Sequence, residues 1–254
     1  MYQVITVPAF SDNYIWLICK DNHCLVVDPG CAGPVLERIA VLGLTLDAIL
    51  ITHHHQDHCG GVTELLEQAP NARLYLPRHE TTPGLDGIRV DEGDEIHWHG
   101  LTLQVMHLPG HTHGHVAYYG GGMLFCGDTL FSAGCGRLFE GSPEQLHHSL
   151  QRIGELPGQT RLYPAHEYTL SNLRFAITVE PDNPAIAAAL REVSKLRQQG
   201  VPSLPTTLQR EKEINVFLRC EHDSVKFSAE KHVYSPLDTP QLVFKTLRQW
   251  KDVF

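Results

Sequence analysis

The 254-residue chain has no C-x-x-C pair. Its seven cysteines (Cys19, Cys24, Cys31, Cys59, Cys126, Cys135 and Cys220) are odd in number and scattered, so neither a disulfide framework nor a cysteine zinc site is indicated. No apolar run approaches the roughly 18 residues that a membrane span requires. Lys and Arg total 20 against 29 Asp and Glu, and the net charge of -9 disfavours general binding to nucleic acid or to acidic membrane. An anionic ligand would therefore need a local basic patch or metal ions. Residues Met1 to Pro8 lack a basic leader segment and read as a strand rather than an export signal. A reducing cytoplasm fits these absences best, with the chain acting as a monomer.

Other bulk properties are ordinary: 42% hydrophobic and 19% charged, with length for one large domain or a main domain and a smaller companion. Histidine is the exception, at seventeen. It titrates near neutrality and is the commonest metal ligand, so the excess points towards metal or acid–base chemistry.

To about residue 130, short β-like runs alternate with Gly, Pro, Asp and Asn punctuation, interrupted by helical patterns at Pro34–Leu42 and Gly61–Gln68. Ser142, Pro143 and Gln145 form the start signals of a helix reaching Glu155, and a last strand covers Arg161–Tyr163. Beyond that the texture changes. Asn183-Pro184 opens a helix that Gly200 closes, and Thr239-Pro240 opens another. The pattern predicts an α+β body over residues 1–168 and a small, mostly helical domain over 169–254.

The central signal is Thr52-His53-His54-His55-Gln56-Asp57-His58, directly after the apolar run Ile49-Leu50-Ile51. On a turn, alternate side chains can face the same way, so His53 and His55 can share one ion while Asp57 and His58 face a second. A single catalytic ion needs only three protein ligands, so four here favour two ions. Burying four such groups without metal or partners would be costly. His111, Asp128 and His166 each lie just beyond another apolar strand, where functional loops belong. By contrast His79, His97, His99 and His232 read as surface or satisfied core residues. Asp28, in Val27-Asp28-Pro29-Gly30, is either a turn former or an acceptor orienting a ligand histidine.

The H-x-H-x-D-H motif, with the later Gly110-His111-Thr112, Gly127-Asp128-Thr129 and Ala165-His166, resembles the metallo-β-lactamase superfamily. That resemblance implies an αββα sandwich with a dinuclear site at one edge. His53, His55 and His111 would hold the first ion, Asp57, His58 and His166 the second, and Asp128 would bridge. Zinc is the default metal, and such a donor set also accepts iron or manganese.

A narrower resemblance is to the glyoxalase II (hydroxyacylglutathione hydrolase) family. It is carried by Ser11-Asp12-Asn13-Tyr14, Gly134-Cys135-Gly136-Arg137-Leu138-Phe139-Glu140-Gly141, His166-Glu167-Tyr168-Thr169, Asn172-Leu173-Arg174-Phe175-Ala176, Asn183-Pro184 and Arg248-Gln249-Trp250-Lys251-Asp252. It implies hydrolysis of S-lactoylglutathione to glutathione and D-lactate, the second step of methylglyoxal detoxification. A metal-bridging hydroxide would attack the thioester, oriented by Asp57. Glutathione would be held by Arg137, Phe139, Tyr168, Arg248 and Lys251. Some members carry Lys and Tyr where this chain has Arg137 and Phe139; Arg137 keeps the charge, whereas Phe139 lacks a hydroxyl. The rival readings are another hydrolase of the same fold, acting on a lactone, β-lactam or phosphodiester, and an iron-dependent persulfide dioxygenase. The acidic balance disfavours a nuclease, and the C-terminal Arg-x-x-Lys pair and helical domain disfavour the dioxygenase.

Overall fold

The computed structural model describes residues 2–254, which divide into two compact units. The first comprises the described residues up to His107 together with His113–Gly127; the second comprises Leu108–Thr112 and Asp128–Phe254.

In the first unit, β1 (Gln3–Ala9), β2 (Asn13–Lys20) and β3 (His23–Val27) run antiparallel. The helix α1 (Gly33–Leu42) leads to β4 (Thr45–Leu50), then a short α2 (Gln56–Cys59), α3 (Val62–Gln68), β5 (Arg73–Pro77) and β6 (Ile88–Val90). The strands β3 to β6 pair in parallel, so the sheet order is the chain order. Parallel strands joined by crossover helices are covered on their faces and become continuously apolar, and β2 shows the same character. Its Ile15, Leu17 and Cys19 join one cluster with Val35 of α1 and Leu65 of α3, while the alternate residues Trp16 and Ile18 are also buried.

Four further strands follow as an antiparallel meander: β7 (Glu95–Trp98), β8 (Leu101–His107), β9 (Val116–Gly120) and β10 (Met123–Gly127). In β7 and β8, Ile96, Trp98, Leu101, Leu103 and Val105 point inward between exposed Glu95, His97, Thr102 and Gln104, the period-2 pattern of a half-buried strand. His99 and Gly100 alone join β7 to β8. Both have positive φ, 44° and 84°, as a two-residue type I′ turn demands.

The second unit contains the antiparallel pair β11 (Leu130–Phe131) and β12 (Gly134–Cys135), then α4 (Pro143–Gly154), β13 (Arg161–Pro164), α5 (Thr169–Val179) and α6 (Pro184–Gln198). After these come β14 (Thr206–Thr207), α7 (Leu208–Ile214), a 3-10 turn Val216–Leu218, α8 (Asp223–Val233) and α9 (Pro240–Asp252). The expected capping box starts α4: Ser142 Oγ accepts from Gln145 N–H at 3.3 Å, and Gln145 Oε1 accepts from Ser142 N–H at 2.9 Å.

The spatial division differs from the expected boundary at residue 168. Both α4 and β13 group with the C-terminal helices, because the His147 ring of α4 lies 5.3 Å from Phe244 of α9 and β13 pairs with β14. The helices α5, α7 and α8, and the short strands β6, β11, β12 and β14, were not marked by the sequence patterns.

At the end of α5, the Glu180 carboxylate accepts from Arg219 Nε and Nη2 (2.8 and 3.0 Å) and from Ser224 Oγ (2.6 Å). Burial pushes its pKa up, but these donors outweigh that and hold it below the usual glutamate range. A depressed folded-state pKa stabilises the fold above the unfolded value and loses that contribution as pH falls through the folded value. Glu180→Gln should therefore destabilise the protein by about 3 kcal/mol at neutral pH. In thermal melts compared with wild type, that gap should narrow below about pH 4.5.

Candidate functional site

The motif loop leaves the C-terminal end of β4 and immediately enters α2. Its geometry is set by Asp28, just past β3, at φ 52°. One Asp28 oxygen accepts from Thr52 N–H at 2.7 Å. The other lies 2.7 Å from Thr52 Oγ1 and 3.1 Å from His58 Nδ1. A hydroxyl has one hydrogen, and this one goes to Asp28. Thr52 Oγ1 is thus an acceptor for His53 Nδ1, 3.0 Å away. Both His53 and His58 accordingly carry their proton on Nδ1, leaving the Nε2 lone pairs for another use. The two alternatives for Asp28 coincide: it occupies a left-handed turn and orients two histidines.

Around these rings the first unit gathers more donor atoms. His53 Nε2 lies 3.0 Å from His55 Nδ1, and His58 Nε2 lies 3.6 Å from Asp57 Oδ2. Asn13, at the start of β2, donates from Nδ2 to Asp57 Oδ2 at 3.0 Å and so fixes that carboxylate. The Asp57 backbone packs so closely on Gly30 that a Cβ there would sit 1.9 Å from the Asp57 carbonyl oxygen. Only glycine fits. His54, which the sequence left without a role, bonds to buried Glu80 through its backbone N–H and its ring; Glu80 also accepts from Gly114 N–H at 3.0 Å. The His115 ring stacks 4.9 Å from that of His53.

The second unit presents a matching set. His111 Nδ1 donates to the Arg137 carbonyl at 2.8 Å, which again leaves Nε2 available, 3.4 Å from Asp128 Oδ2. His166 Nε2 lies 3.4 Å from Asp128 Oδ1. Asp128 therefore offers one oxygen to each of two imidazoles. A Cβ on Gly136 would meet the Asp128 carbonyl at 2.0 Å, so the Gly-Cys-Gly segment passes directly over this residue.

These distances test whether the donors suit metal ions. Ligands each about 2.0–2.2 Å from one ion lie roughly 3 to 3.5 Å from one another. Three of the four spacings, 3.0, 3.4 and 3.4 Å, fall in this range, and the fourth, 3.6 Å, lies just beyond it. Three of the five imidazoles also have their other nitrogen committed to an oxygen acceptor, the arrangement that orients metal-binding histidines. The set fits.

A cavity of about 390 Å³ in the second unit is lined by His111, Asp128, Tyr168 and Phe139 and by the cations Arg137, Arg248 and Lys251. All five residues expected to hold substrate reach it, in different states. Phe139 is 64% exposed, with its ring edge-on to His111 at 5.2 Å. Tyr168 stacks flat on His166, centroids 4.7 Å apart. The exposed Arg137 side chain pairs with Asp252 at 3.3 Å. Lys251 lies 3.3 Å from Ser171 Oγ, and burial, followed by the charges of Arg248 and Arg137, lowers its pKa.

Arg248 departs from a simple solvent-facing ligand. It is only 4% exposed, and it donates from Nη1 to the Cys135 carbonyl at 2.9 Å and from Nη2 to Asp252 at 2.9 Å. It braces the Gly-Cys-Gly segment as well as charging the cavity. Cys135 is buried and its thiol is pushed up to about 11, which marks it as packing rather than a nucleophile. A larger hollow of about 650 Å³ lies around Glu180, Arg219 and Phe227, but those two charged groups already satisfy each other.

Comparison with known proteins agrees with these features. Residues 9–166 match the model of the metallo-β-lactamase superfamily, and residues 167–254 match that of the hydroxyacylglutathione hydrolase C-terminus. The chain is 68% identical to the hydroxyacylglutathione hydrolase of Aeromonas hydrophila subsp. hydrophila, over 100% of both chains. Among solved structures, ETHE1 from Myxococcus xanthus is similar with a TM-score of 0.65 at 24% identity, covering 100% of this chain and 99% of that one. TTHA1623 in a di-iron-bound form has a TM-score of 0.60 at 28% identity, with 84% and 98% coverage. The fold is that of the metallo-β-lactamases, in the α+β class.

Asp28 bonds three groups of the motif loop, so its replacement provides a direct check. Asp28→Asn tolerates the left-handed turn but should weaken zinc affinity about 10- to 100-fold in a chelator competition.

Proposed function

The chain belongs to the hydroxyacylglutathione hydrolase family of the metallo-β-lactamase superfamily, and on that premise we propose how its residues act on S-lactoylglutathione. It is a thioester hydrolase, and its products are glutathione and D-lactate. We assign His53, His55 and His111 to one divalent ion, Asp57, His58 and His166 to a second, and Asp128 to both. Zinc is the proposed metal. Iron is the alternative to it, because a 28% identical protein was solved in a di-iron-bound form.

When bound, the two ions supply a lowered pKa for the attacking water and positive charge opposite the carbonyl oxygen. The protein's own part is orientation. Asp57, steadied by Asn13, aims the attacking oxygen at the thioester carbon. Oxygen adds to that carbon, the carbon–sulfur bond breaks, and the sulfur leaves with its electron pair. A thiolate is a stable enough anion to depart without a protein acid.

The observation that carries this reading is the cavity in which two of the ligand candidates, His111 and Asp128, share lining with three cations. Glutathione has two carboxylates, and Arg137, Arg248 and Lys251 complement them despite the chain's net charge of -9. Burial does most to depress the Lys251 pKa, and anion binding would relieve the part that comes from repulsion by Arg248 and Arg137. Tyr168, held by His166, and Phe139 offer aromatic walls to the peptide. The seven cysteines, none in a disulfide, suit a reducing cytoplasm. No helix among the described residues is long and apolar enough to cross a membrane. The assigned ligands all come from one chain, so a monomer is the proposed working unit.

A panel of S-lactoylglutathione, a chromogenic cephalosporin, a bis-aryl phosphodiester and glutathione persulfide tests the assignment on metal-loaded protein. Turnover should be confined to the first. Arg137→Ala combined with Lys251→Ala should raise KM about 10- to 100-fold with a smaller change in kcat, since the lost contacts act on ground and transition states alike. Equal activity towards glutathione esters and short-thiol esters would reject the cationic binding role.

A further inference from the structure

Three side chains from separate elements meet at the end of the first unit's sheet where β4 begins. His23 opens β3, Asp47 lies near the start of β4, and His99 occupies the β7–β8 turn. His23 Nδ1 is 3.0 Å from Asp47 Oδ1, and His99 Nε2 is 3.0 Å from Asp47 Oδ2. The two rings are 4.5 Å apart, and one ligand-type atom from each of the three residues lies within 4.8 Å of the others. We propose that His23, Asp47 and His99 form a second, peripheral binding site for a divalent transition-metal ion of the zinc type.

The site is built rather than incidental. His99 is held by the I′ turn with its backbone at φ 44°, so its direction is set before any ion arrives. Asp47 is steadied by Trp98, whose Nε1 donates to Oδ2 at 2.8 Å. Burial pushes the Asp47 carboxyl up, but the bonds from Trp98, His23 and His99 outweigh it and keep it ionised. Two imidazoles and one carboxylate are borderline donors that suit zinc, copper or nickel, whereas magnesium and calcium prefer oxygen alone. To bind, each imidazole must carry its proton on the ring nitrogen turned away from Asp47, so that the lone pair of the nitrogen facing Asp47 takes the ion. The side chains are 33%, 21% and 38% exposed, so water can complete the coordination.

The location is distinct from the motif histidines. Asp47 and His53 are six residues apart, about 20 Å along an extended strand. An ion here would pin the β2–β3 hairpin, the start of β4 and the β7–β8 turn to one another.

The test uses full-length protein already saturated with metal at its principal site, titrated with zinc near neutral pH and followed by elemental analysis after dialysis. Wild type should take up one further ion per chain. The His23→Ala and His99→Asn variants should bind that ion at least tenfold more weakly; asparagine at 99 retains the positive-φ turn. Anomalous diffraction at the zinc edge should place a peak among the three side chains, and magnesium should produce none. Equal extra uptake by wild type and variants, or no uptake by either, would overturn the proposal. Thioester hydrolysis should be unchanged in both variants. Failure of the substrate assignment would leave the zinc stoichiometry untouched, so the two readings fail separately.

Discussion

One carboxylate organises the motif loop of the first unit. Asp28 takes the Thr52 amide, the Thr52 hydroxyl and the His58 ring at once, and through that hydroxyl it also sets the proton position on His53. A histidine binds metal only through a nitrogen without a proton. Everything downstream therefore depends on those protons being parked on the far side of each ring. Burial makes the arrangement strict: His53 and His58 are essentially inaccessible, and in a low-dielectric setting a misplaced proton would be costly.

The second unit solves a different problem. Its cavity gathers three cations, from the stretch just after the Gly-Cys-Gly segment and from α9, on a protein that is acidic overall, a lining that would suit an anion. Burial, and after it the repulsion of Arg248 and Arg137, lowers the pKa of Lys251, while Asp252 pairs with both arginines and offsets part of that repulsion. Arg248 shows why charge alone is a poor guide to role. Its Nη1 is turned inward to the Cys135 and Gly136 carbonyls of the segment that overlies Asp128, so its loss would disturb the position of that segment as well as the field.

The parts legible in the sequence were those governed by local chemistry. Ser142-Pro143-x-Gln145 specifies a helix start within four residues, and the capping box forms as read. The H-x-H-x-D-H run announces metal through residue type and spacing alone. The roles of Asn13 and Glu80 were not legible in this way: each acts on a loop more than twenty residues away, and neither the Ser11-Asp12-Asn13-Tyr14 motif nor the surroundings of Glu80 name that partner. His99 was misleading for the same reason: as an isolated histidine it looked like surface, and only the meeting of three separate elements gives it company. The helices α5, α7 and α8 went unmarked. In α5 and α8 no capping side chain precedes the first turn, and α7 is only seven residues long.

Arg248 and Lys251 belong to α9, the final helix described, whereas the ligand candidates are all complete by His166. During synthesis the chain would thus possess every candidate donor long before its anion-holding wall exists. A nascent product halted near Thr239 would hold every candidate donor but lack the arginine that braces the segment over Asp128. In this architecture the last helix to be made steadies loops finished long before it, and a premature stop would leave those loops without their support.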